Sequence, residues 1–157
     1  MANIDVKLDF DELEELKKQI EKHCDPKQMN QFFESCAKEL AARLLAKVIK
    51  RTPVGQYPAS TGKKGGTLRR GWTGGNNADA TAFADSLTVE KVGTDYVIDI
   101  INPVEYVSYV EFGHRTRNHK GWVEGHFMLT ISEDEIRNSA PKILENKLKN
   151  YLKGCFE

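Results

Sequence analysis

Two prolines fence the longest periodic segment of this chain, and that segment limits what the rest can build. Asp25-Pro26-Lys27-Gln28 reads as a helix start, with an acidic cap, proline at the first helical position and Gln three residues after the cap. Phe33, Ala37, Leu40, Leu44 and Val48 then recur on one helical face. Thr52-Pro53 ends the run, because the residue before proline avoids the helical region. The spacing predicts a helix of about 25 residues, about 37 Å long at 1.5 Å per residue. Its apolar stripe has to face a core supplied by the rest of the chain.

The other elements are shorter. Phe10, Leu13, Leu16 and Ile20 fall at helical spacing and predict an N-terminal helix within residues 1–24. Residues 53–85 hold many of the glycines and the basic run Lys63, Lys64, Arg69, Arg70, and predict a long basic loop. Trp72 is expected to begin a short strand in it. Residues 86–101 read as a hairpin, with β-branched arms around Gly93-Thr94-Asp95 and Leu87, Val89, Tyr96, Ile98 and Ile100 facing the core. Asn102-Pro103-Val104-Glu105 opens a short helix that Gly113 closes. In that helix Tyr106, Val110 and Phe112 are expected in the core, and Tyr109 lies off their face. Phe127–Ile131 is either a last strand or the lead-in to a helix. Ser132-Glu133-Asp134-Glu135 reads as a capping box for a C-terminal helix over 132–157, which Pro141 should kink or restart.

These elements add up to an α+β fold in one domain of 157 residues. A small antiparallel sheet would pack against the long helix, with a short helix after the hairpin and a helix at the C-terminus. No apolar run is long enough to span a membrane. The opening Met-Ala-Asn-Ile-Asp-Val-Lys lacks the basic end and apolar stretch of a signal peptide, so the chain is expected to stay in a cytosol unless it leaves within a larger particle. Cys24, Cys36 and Cys155 form no C-x-x-C pair, and Cys36 is expected on a buried helix face.

Chemistry finds little purchase. His114, His119 and His126 cluster near Glu124, but their spacings of five and seven differ from the i, i+4 pair of a helical metal site. Gly62-Lys63-Lys64-Gly65-Gly66-Thr67 lacks the residue order of a phosphate-binding loop and follows no buried strand. No nucleophile elbow is present. The expectation is therefore no catalysis, no metal and no cofactor. With 23 basic and 23 acidic residues the net charge is zero, which does not favour nucleic acid in bulk. Even so, loops 62–72 and 114–120 carry basic residues and an aromatic, so a nonspecific grip on DNA is the alternative function. The stronger expectation is protein assembly, with Lys63, Lys64, Arg69, Arg70, Trp72, Tyr109, Arg115 and Arg117 contacting subunits or partners. Acidic patches on the helices would complement them, and a head-to-tail contact of that kind can close into a ring.

Arg51-Thr52-Pro53-Val54-Gly55, then Ser60-Thr61-Gly62 and Gly66-Thr67-Leu68-Arg69-Arg70, together resemble the R-T-P-V-D-T-G-x-L-R signature of a tailed-phage neck family. Asn102–His114, with its Tyr109-Val110-Glu111-Phe112-Gly113 core, is similar to the second signature, and Phe127-Met128-Leu129 to a third element. The family is the head–tail joining, or tail-completion, proteins of long-tailed phages and prophages. The chain departs from it by an insertion at 56–65, by His114 in place of threonine, and by His126 where proline is common. The resemblance implies a non-enzymatic structural protein, found in the host cytoplasm before assembly and then in the virion neck. It would act as a ring touching its own copies and the adjacent head and tail proteins.

Overall fold

The computed structural model describes Lys18 and residues 25–156. The helix expected within residues 1–24 lies outside the described residues, Lys18 apart. The long helix, α1, spans Pro26–Arg51. Asp25 caps it by accepting from the Lys27 amide at 3.1 Å, and Thr52 leaves the helix in an extended conformation before Pro53. Cys36, Leu40, Ala41, Leu44, Leu45 and Val48 are buried along it. Phe33, expected on the same face, is exposed and stacks on Tyr96 at 5.5 Å, because the first turns of α1 reach past the core.

Residues 53–85 are more ordered than a loop. They hold a 3-10 turn at Ala59–Thr61 and two helices, α2 (Thr67–Gly71) and α3 (Ala80–Ser86). Helices of five and seven residues complete too few turns to show a period in sequence. The expected strand at Trp72 is instead the end of α2, and its ring is 2% exposed. The hairpin forms as β1 (Val89–Val92) and β2 (Asp95–Ile98), with Val89 opposite Ile98 and Val92 opposite Asp95. A second two-stranded sheet, which the sequence did not suggest, pairs β3 (Gly113–Arg115) with β4 (Trp122–Glu124). Between the sheets lies α4 (Val107–Phe112).

The C-terminal helix, α5, spans Met128–Phe156 and settles Phe127–Ile131 as a helix lead-in. It starts four residues before the expected cap. Ser132 is buried inside it and donates to the Met128 carbonyl at 2.6 Å. Pro141 does not restart the helix: it lies inside α5 at an exposed position, where its ring crowds no core neighbour. α1 and α5 run antiparallel: Phe32 stacks on Tyr151 at one end, and Arg51 donates to Ser132 Oγ at 3.0 Å at the other. Leu40, Leu44, Leu45 and Val48 of α1 meet Leu68, Trp72, Ala84, Met128, Ile136 and Ala140 in the core. The fold is α+β, as expected.

Candidate assembly surface

Asn102–Gly113 folds differently from its pattern. The helix begins at Val107, not beside Asn102. Asn102 Oδ1 accepts from the Val104 amide at 3.1 Å, forming a tight turn, while its Nδ2 donates to the Leu68 carbonyl at 2.9 Å. Its side chain thus ties this segment to α2 instead of capping α4. Only glycine fits at position 71 here, since a Cβ would come within 2.2 Å of Asn102 Oδ1.

Burial on α4 departs from the expectation at Tyr106 and Phe112, while Val110 packs inward and Tyr109 lies outward as expected. Val107 and Val110 pack against the core, but Tyr106, Tyr109 and Phe112 are exposed, Phe112 at 60%. The buried residue is Glu111, at 5% exposure. Its carboxylate accepts from the Leu129 amide at 2.9 Å, from the Thr130 amide at 2.9 Å and from Thr130 Oγ1 at 2.7 Å. Glu111 therefore caps the first turn of α5 from a different element, where free N–H groups and the helix dipole favour a negative charge. A trace of this exists in the sequence: His126-Phe127 offers α5 no local cap.

Gly113 turns the chain from α4 directly into β3, at φ 85 and ψ 174. A Cβ there would meet the Val123 carbonyl oxygen at 2.4 Å, so glycine is required twice over. The hairpin returns through amides of His126 and Phe127, which donate to Val110 and Glu111 carbonyls at 2.8 and 3.0 Å. Its tip is bound to itself. The Thr116 amide donates to the Gly121 carbonyl at 3.0 Å, and Asn118 Oδ1 accepts from Thr116 Oγ1 at 2.6 Å.

The result is a projecting end rich in bare aromatic surface. Tyr109 and Phe112 face outward from α4, Trp122 and Val123 from β4, and Phe127 and Ile131 from the start of α5. Both faces of the β3–β4 hairpin are accessible. His114 and Val123 share one face, where the His114 ring meets Tyr109 edge-on at 5.8 Å. Arg115 and Trp122 sit opposite each other on the other face. Arg115, Arg117 and Lys120 are exposed, and among the described residues no carboxylate pairs with them.

Three of the sequence-selected residues, Tyr109, Arg115 and Arg117, meet at this end. The others do not. Lys63 and Lys64 are exposed on the loop before α2, with Lys63 Nζ 5.9 Å from the Tyr57 ring centre. Arg69 donates to the Thr52 carbonyl at 3.2 and 2.7 Å, and Arg70 to the Gly65 carbonyl at 3.2 Å. Trp72 Nε1 donates to Thr52 Oγ1 at 2.9 Å from within the core, so its ring presents no surface to a partner. Thr52 is thus the joint between α1 and α2. Among the described residues, no three His, Cys, Asp or Glu side chains gather as a metal site would need.

Residues 14–113 match the model of the HK97-gp10-like family, described as "Bacteriophage HK97-gp10, putative tail-component". The chain belongs to this phage family. The match takes in α1, the Thr52 joint, the β1–β2 hairpin and α4 up to Gly113. The β3–β4 loop and α5 follow it. No curated protein and no solved structure matches the chain. A tail-component family implies contact with other virion proteins. No helix among the described residues is long and apolar enough to cross a membrane.

Proposed function

We propose that the protein is a non-enzymatic structural component of a tailed phage or prophage, acting at the head–tail junction to complete the tail. It works as a ring of copies in the virion neck, in contact with the adjacent head and tail proteins. The exposed aromatic end carries this reading. Tyr109, Phe112 and Trp122 are exposed at the same end of the fold as Arg115 and Arg117, which no carboxylate pairs among the described residues. Tyr, Trp, Phe and Arg are the types enriched at the centres of protein interfaces, and clustered exposed apolar surface marks an interaction site. Family membership supports the same reading, and Glu111 explains how the end is held rigid enough to dock: one carboxylate fixes α4 against α5.

The test is particle assembly with a tagged chain in its phage genome. The wild-type chain should be found in purified virions. A Phe112→Ser/Trp122→Ser chain should accumulate as folded protein while heads and tails remain separate. Infectious particles assembled with that variant, or virions lacking the wild-type chain, would overturn the proposal.

A further inference from the structure

The β1–β2 hairpin sorts its side chains by face. Cross-strand partners share a face, and alternation puts Glu90, Val92, Asp95 and Val97 on one side and Val89, Lys91, Tyr96 and Ile98 on the other. The second side turns inward. Tyr96 donates its hydroxyl to Asn30 Oδ1 on α1 at 2.6 Å, Lys91 Nζ lies 3.5 Å from the same oxygen, and Ile98 packs on the core. The chain keeps alternating past β2: Ile100 packs on the core, and Asp99 and Ile101 are exposed, Ile101 at 69%. The outward face thus holds Glu90, Asp95 and Asp99 among Val92, Val97 and Ile101, while its one lysine points away. Among the described residues, none of these carboxylates pairs with a cation.

Among the described residues, two surfaces of opposite charge are therefore left without charge partners. One is the aromatic end with Arg115, Arg117 and Lys120, where Glu124 is the acid on the strands. The other is the acidic, aliphatic face of β1–β2. We propose that the occupant of the aromatic end is the outward β1–β2 face of a second copy of this chain. The inference rests on the assembly reading above and names the surface that meets the aromatic end. Pairing either surface with its own copy would set cations against cations or carboxylates against carboxylates. Pairing the two unlike surfaces sets opposite charges together and covers Trp122, which shares its hairpin face with Arg115, with β-branched side chains. Such a contact is heterologous: each added copy leaves one surface of each kind open, so growth stops only when the chain of copies closes.

The test uses light scattering on the full chain up to about 1 mM, a concentration at which even contacts with a millimolar Kd become populated. The wild type should grow beyond a dimer with concentration, and less at high salt. Arg115→Glu/Arg117→Glu and Asp95→Lys/Asp99→Lys should each stay monomeric with unchanged circular dichroism. Mixing the two variants, or combining all four substitutions in one chain, should restore growth. Either variant associating like the wild type, or no recovery in the mixture, overturns the proposed contact. So does a wild type that stays monomeric throughout. Those results leave the tail-component reading to the particle experiment, whose failure would in turn leave a measured self-contact standing.

Discussion

At the scale of single residues, Glu111 decides more than any aromatic around it. Its two oxygens satisfy both amides and the hydroxyl at the start of α5, and it is nearly closed to water. Glu111→Ala would leave part-buried helix N-terminal donors without their acceptor, at a cost of roughly 0.5–2 kcal/mol. Urea denaturation followed by circular dichroism should show that loss as a lower midpoint. Glu111→Gln should recover part of it, because one amide oxygen still accepts. An unchanged midpoint for the alanine variant would remove the capping role. The sequence conceals this residue for a physical reason. Tyr106 and Phe112 are large aromatics, so a hydrophobicity pattern assigns them inward with Val110 and leaves Glu111 outward. A six-residue helix buries only one narrow stripe, however, and Val107 and Val110 fill it beside the carboxylate. The demand for the carboxylate comes from α5, which lies 17 residues further on, beyond any local signal.

At the scale of elements, the helix pair α1–α5 is the frame. Apolar packing joins it, and ion pairs close both ends. Lys147 Nζ binds Glu39 at 2.8 Å and Lys47 Nζ binds Glu135 at 2.7 Å, with Arg51 also on Glu135. Lys147 above all, with help from Arg43, holds the Glu39 carboxyl below its ordinary value of 4.5. Lys47 and then Arg51 do the same for Glu135. A carboxylate with a depressed folded pKa stabilises the fold above the unfolded value, and that contribution fades as pH falls through the folded one. Thermal midpoints should therefore drop on acidification below about pH 4.5. Glu39→Gln and Glu135→Gln should lower the midpoint at neutral pH and narrow their gap to the wild type in acid. A gap that stays constant down to pH 2 would show that these pairs do not clamp the helices. The bounds of α1 were legible because Asp25-Pro26 and Thr52-Pro53 act locally on the backbone. The start of α5 was not, because its cap arrives from α4. Between them, α2 is placed by Arg69 and Trp72 reaching back to Thr52, a contact across 17 to 20 positions that no window of sequence contains.

At the scale of the whole molecule, the chain's two tryptophans report on two places, the core and the proposed docking end. Trp72 is buried where α2 meets the end of α1, and Trp122 is 56% exposed on the projecting hairpin. The same residue type thus serves core and surface, and composition alone could not separate them. A substitution at Trp72 removes a large core side chain and the donor to Thr52, so Trp72→Ala should cost about 3–5 kcal/mol. Trp122→Phe changes an exposed site and should shift stability by no more than about 0.5 kcal/mol. With Trp122 replaced, the remaining emission comes from the core and should be blue-shifted and resistant to acrylamide. With Trp72→Phe, the remaining emission comes from the hairpin and should be red-shifted and readily quenched. Raising the concentration of the Trp72→Phe chain then reads docking directly. If the aromatic end is where copies meet, quenching of Trp122 should weaken as the mass measured by light scattering rises, and high salt should reverse both together. Assembly without any protection of Trp122 would place the contact elsewhere on the molecule.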